Sequence, residues 1–205
     1  MAPALPRFVR DNAFVAAAIA LPVVVGAFFF LATTIPRFTV PPPDYDLVLR
    51  ASRPYDGTRS GVLVDFAVRD GRVEATIRPP APPNAYAEPV GLLLFDHETM
   101  TVREIPLEIP THMAEGEPPR TIVVEALSGR RVSPQAAAPD GYALQNRSGG
   151  RPGLVGDLFG MGGYRQIAVL TNRGRMVELD LPGPYRSPYQ APLYHVGWVV
   201  DEGQR

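Results

Sequence analysis

The chain of 205 residues contains no cysteine, which excludes disulfides, thiolate nucleophiles, iron–sulfur clusters and thiolate metal sites together. Lysine is missing too, so all 20 basic side chains are arginine, and neither a Schiff-base lysine nor a phosphate-loop lysine exists. Histidine is scarce: His97, His112 and His195 lie far apart, and none has the H-E-x-x-H spacing of a metal site. No serine stands in a G-x-S-x-G elbow. A net charge of −1 with scattered arginines provides no electrostatic footprint for nucleic acid. No catalytic, cofactor-binding or metal-binding residue is assigned, no cofactor is expected, and the chain is read as a non-enzyme. A triad assembled from distant residues would leave no trace in sequence order; it would need a histidine to meet an acidic residue in a polar cleft.

What is present in quantity is one long uncharged run, Ala13 to Ile35, AFVAAAIALPVVVGAFFFLATTI. Some 23 helical residues at 1.5 Å each reach ~35 Å, against a hydrocarbon core of ~30 Å. The expectation is a transmembrane helix over 13–35, preceded by a tail over 1–12. The apolar core is longer than that of a cleaved signal, and Ala32, Thr33 and Thr34 make a poor cleavage site. Pro22 removes one helical hydrogen bond and kinks the span. Ala16, Ala20 and Gly26, with Ala17 and Ala18, are small enough for close helix–helix contact. Arg7 and Arg10 make the amino-terminal flank the more basic one, which places the tail inside and the large domain outside.

Pro36, Pro41, Pro42 and Pro43 then predict a short, extended, stiff stalk over 36–43. From 44 to 205 short apolar runs alternate with Gly, Pro, Asn and Asp, the pattern of strands and turns. Three hairpins stand out. The first turns at Asp70-Gly71, a type I′ pair; the second joins Val90–Phe95 to Thr101–Ile105 through Asp96-His97-Glu98-Thr99; the third turns at Asn172-Arg173-Gly174. Single strands are expected over 45–51, 121–127 and 196–200. Irregular spacing and too few strands argue against a propeller. The fold class is therefore mainly β, one transmembrane helix followed by an antiparallel β-sandwich or curled sheet of eight to ten strands.

Two loop regions interrupt the strands. SGGRPGLVGDLFGMGGY, residues 148–164, sets Leu154, Val155, Leu158, Phe159 and Met161 among glycines; it is either a loop folded onto its own domain or a docking patch. Its glycines are not a dinucleotide fingerprint, because Arg165 falls where the third glycine belongs. The segment PGPYRSPYQAPLY carries Tyr185, Tyr189 and Tyr194; it is either a strap across its own sheet or a contact with a partner. Asp44 and Asp46 are expected to be solvated near the stalk, too few oxygens for calcium.

This layout is similar, in a general way, to bitopic exported accessory and assembly proteins of bacterial membranes. Those that deliver copper use cysteine pairs, which this chain lacks. The expected function is a non-enzymatic accessory or assembly subunit of a larger membrane complex, respiratory or photosynthetic in character. Its anchor would lie in the inner membrane with the amino terminus cytoplasmic, and its β domain would cover the periplasmic face of integral membrane partners. The alternative is a free-standing periplasmic module that binds a peptide, glycan or lipid.

Overall fold

The computed structural model describes residues 13–52, 61–80, 89–148, 166–186 and 192–200. The chain divides into two compact units, one holding the helical segment up to Pro41 with Arg173–Arg175, the other holding the rest.

The helix of the first unit, α1, spans Ala13–Thr39. It runs past the expected boundary at Ile35 and through Pro36, so the stalk expected over 36–43 is shortened to the few residues beyond Thr39. Proline interrupts a helix by withholding one N–H, but its fixed φ is itself helical, and the Thr39 hydroxyl donates to the Ile35 carbonyl at 3.1 Å across this turn. The described side chains along α1, from Phe14 and Ile19 to Phe30 and Leu31, are exposed on every side. Over the residues whose side chains are described, of which 17–31 is the longest run in α1, no helix is long and apolar enough to cross a membrane.

The second unit is mainly β. Its strands are β1 (Leu47–Ser52), β2 (Leu63–Arg69), β3 (Arg72–Arg78), β4 (Val90–Asp96), β5 (Thr101–Ile105), β6 (Arg120–Val123), β7 (Val132–Ser133), β8 (Ala143–Ser148), β9 (Gln166–Asn172), β10 (Arg175–Glu178) and β11 (Tyr194–Val199). They form a five-stranded sheet, β5-β4-β1-β11-β7, and two three-stranded sheets, β2-β3-β6 and β10-β9-β8.

All three hairpins form where the turn residues place them. Asp70 and Gly71 both have positive φ, 50° and 74°, the pair a type I′ turn demands, and Arg69 pairs with Arg72. The second hairpin closes through Met100 at φ 56°, the third through Arg173 and Gly174 at 44° and 88°. The strand expected over 121–127 ends at Val123, because Glu125–Leu127 tightens into a 3₁₀ turn.

Alternation decides the layers. In β2 and β3 the residues Val64, Phe66, Val68, Val73, Ala75 and Ile77 turn inward, while Asp65, Ala67 and Arg69 are exposed. This inner face packs on the five-stranded sheet through Val48, Leu92, Leu94, Ile105, Val132 and Val199. β1 and β4 are buried at successive positions, so the central sheet is covered on both faces. On its second face Tyr185 lies against Gly91 and Glu104. A carboxamide on β8 ties that strand to the entry of β11: Asn146 Nδ2 donates to the Leu193 carbonyl at 2.7 Å, and Leu193 N–H donates to Asn146 Oδ1 at 3.0 Å.

Candidate functional site

The sequence around Asp46 places a carboxylate immediately before a central strand, and folding withdraws it from water. Asp46 is the buried charged residue of the described core, 8% exposed, a correction to its expected solvation. Its Oδ1 accepts the backbone N–H of His97 at 3.0 Å and lies 2.7 Å from His97 Nδ1. Its Oδ2 accepts from Arg130 Nη1 at 2.8 Å, and its backbone carbonyl accepts Val199 N–H at 2.9 Å. A buried carboxylate is tolerated only when its lone pairs are filled in this way.

Each partner arrives by a separate local device. His97 opens the β4–β5 loop, whose shape is set by Asp96: its Oδ1 accepts the Thr99 N–H at 2.9 Å, and that bond holds the Asp96 carboxyl below its ordinary value of 3.8. Arg130 follows the 3₁₀ turn and Gly129, whose φ of 84° reverses the chain; Arg130 N–H then bonds the Leu127 carbonyl. Asp44, two residues before the node, is exposed, and its N–H donates to Asp140 Oδ2 at 2.8 Å.

This arrangement is an Asp–His pair, the orienting half of a catalytic constellation, but its second carboxylate oxygen is spent on Arg130. A cleft of about 430 Å³ lies beside Arg130, lined by Asp70, Arg72, Glu125 and Arg131 among others, and His97 is not among its walls. Among the described residues no group of three His, Asp or Glu stands close enough to hold a metal ion. What the node does chemically is join three separate segments through charge-assisted hydrogen bonds.

The other histidines stand apart from it. His112 is exposed and bridges to Gly61 through the backbone. His195, on β11, has its Nε2 buried with no hydrogen-bond partner among the described residues and its ring 6.0 Å from that of Trp198; burial lowers its pKa from the ordinary 6.5.

Of the expected docking residues, Tyr185 turns inward. It is fully buried, and its hydroxyl donates to Glu104 Oε1 at 2.9 Å, so this part of the segment straps its own sheet and Tyr185 offers no partner surface. Tyr194 is half exposed, with the Arg50 guanidinium 5.5 Å from its ring centroid. Leu154, Val155, Leu158, Phe159, Met161 and Tyr189 lie outside the described residues, as does the side chain of Ala16. Ala20 is exposed, and the space around Gly26 is open.

Sequence reasoning missed Arg130 and the meeting of Asp46 with His97. Fifty-one residues separate those two, and no local pattern encodes a pairing made through sheet topology. The chain matches no protein-family model, no curated protein and no solved structure.

Proposed function

We propose that this chain is a membrane-anchored, non-enzymatic accessory or assembly subunit of a larger membrane complex, with α1 as its anchor and the β unit as the exported part. The observation that carries the reading is the all-round apolar exposure of α1. Phe14, Ile19, Leu21, Val23, Phe28, Phe30 and Leu31 point to every side of the helix and are more than half exposed. A helix apolar on all faces belongs in a core or in lipid. The α1 backbone extends over 27 residues, about 40 Å at 1.5 Å per residue, beyond the ~30 Å of a hydrocarbon core.

The Asp46 node supports the non-enzymatic half of the reading, because its groups are used up in holding segments together. The partners proposed are the bilayer and integral membrane subunits. Orientation follows the arginine bias of the flanks, with the amino terminus cytoplasmic and the β unit periplasmic in a bacterial inner membrane.

The test is extraction followed by sizing. At alkaline pH the full chain is expected to stay with the membrane pellet. After gentle detergent solubilisation it is expected to run with other polypeptides in a particle well above the 22.3 kDa of the chain. Release into the alkaline supernatant would refute the anchor, and a particle free of other polypeptides would refute the accessory role.

A further inference from the structure

The β2-β3-β6 sheet ends on a strand whose outer edge is unpaired among the described residues, since β6 pairs with β3 alone. Which of its backbone groups face outward is decided by the hydrogen-bond alternation of antiparallel sheets. Val124 N–H donates to the Val73 carbonyl at 3.0 Å, so Val73 and Val124 form a hydrogen-bonded pair. Stepping by two along the register makes Ala75–Ile122 and Ile77–Arg120 hydrogen-bonded pairs as well. Glu74–Val123 and Thr76–Thr121 are then the non-bonded pairs, in agreement with the 3.3 Å approach of the Thr76 and Thr121 hydroxyls. The β2–β3 ladder gives the same phase from the other side, because the two-residue turn makes Arg69–Arg72 a bonded pair and assigns Glu74 and Thr76 to β2. The N–H and C=O groups of Thr121 and Val123 therefore point away from the sheet.

These outward groups sit in a segment with opposite charges at its two ends, Arg120 and Glu125, around apolar residues of which Val123 is 42% exposed. Any antiparallel pairing of this edge with a copy of itself brings the Arg120 end of one chain to the Glu125 end of the other; a parallel pairing would set like charges together. A two-fold axis makes both contacts at once. Beside the edge, a groove of about 760 Å³ lined by Ile77, Pro106, Leu107 and Ile122 leaves room for side chains that continue the inner face.

We infer that two copies of this chain join edge to edge through β6, antiparallel about a two-fold axis at Ile122, making one continuous six-stranded sheet from two three-stranded ones. In this register Thr121 of each copy forms a hydrogen-bonded pair with Val123 of the other. Ile122 meets its own counterpart in a non-bonded pair, where Cα atoms approach to about 4.5 Å. This pairing is independent of what anchors the chain.

The absence of cysteine makes the test direct. Ile122→Cys in the full chain, in mild detergent at micromolar concentration under a thiol oxidant, is expected to give a disulfide-linked species of twice the chain mass, since the two Cβ atoms fall near the ~4 Å a disulfide needs. Glu98→Cys, at an exposed hairpin tip, is the control and is expected to cross-link at least tenfold more slowly. Thr121→Pro or Val123→Pro removes an N–H that β3 does not use, so the sheet is kept while the outer edge is blocked. Either proline added to Ile122→Cys is expected to cut cross-linking at least tenfold with an unchanged circular dichroism spectrum. Cross-linking no faster than the Glu98→Cys control overturns the proposal, whether or not a proline variant folds. So does fast cross-linking that a folded proline variant leaves intact.

Discussion

A methyl group at Gly91 would stand 1.9 Å from the hydroxyl oxygen of Tyr185 and 2.9 Å from its Cζ. Glycine is required there by the close approach of the tyrosine, since the Tyr185 hydroxyl reaches past β4 to bond Glu104 on β5. Gly91→Ala is expected to force the ring out and to cost about 1–3 kcal/mol, the usual penalty of overpacking a filled site. Urea unfolding followed by Trp198 fluorescence reads the loss. Tyr185→Phe, which keeps the ring and removes the bond, is expected to cost about 1 kcal/mol.

The Asp46 node makes an ordered prediction. Asp46→Ala removes the acceptor shared by His97 and Arg130 and is expected to lower stability by about 2–3 kcal/mol, the range for hydrogen bonds to charged groups. Arg130→Ala is expected to cost less, about 1 kcal/mol or below, because 41% of its side chain is exposed and solvent replaces the partner. Equal effects in chemical denaturation would show that the node does not act as a shared junction.

The turn at Asp70-Gly71 is expected to reject β-branched residues. Both positions have positive φ, a region that costs ordinary L-residues about 1–2 kcal/mol. A Cβ on Gly71 would also come within 3.1 Å of Arg131 Cγ. Gly71→Val is expected to lower the thermal midpoint by several degrees, and Asp70→Asn to leave it within a degree.

His195 gives stability a pH dependence of definite sign. Burial lowers its folded pKa below the ordinary 6.5, so between those two values the unfolded chain binds a proton that the folded chain refuses. Its contribution is fully present above pH 6.5 and is lost as pH falls through the folded value. His195→Gln is expected to flatten the stability profile in that window and to leave it unchanged above pH 7. An identical acid slope in both proteins would sink this assignment.

The hairpins were legible because each turn carries its own chemistry: Asp70-Gly71 needs no tertiary partner to declare a type I′ reversal. β8, with the polar sequence ALQNRS, showed no such signal. Its place is decided by pairing with β9 and by the Asn146 bond to Leu193, neither of them local. The 3₁₀ turn at Glu125–Leu127 likewise hides inside a β-branched apolar run that reads as a strand; the chain bends there to return Val132 N–H to the Gly71 carbonyl. Asp46 looked like a surface acid because its two side-chain partners, His97 and Arg130, lie 51 and 84 residues away. The α1 segment could be read as a helix from apolarity alone, but not its continuation through Pro36, since proline lowers helix propensity without forbidding the helical φ.

The chain enters the β unit at the middle of its largest sheet, with β1 flanked by β4 and β11. Tension applied through the residues before Asp46 is therefore shared at once between two antiparallel ladders and the carboxylate junction that closes them. The strand would have to shear both neighbours together before it could be drawn out, so a pull at the point of entry loads the centre of the sheet and not one of its edges.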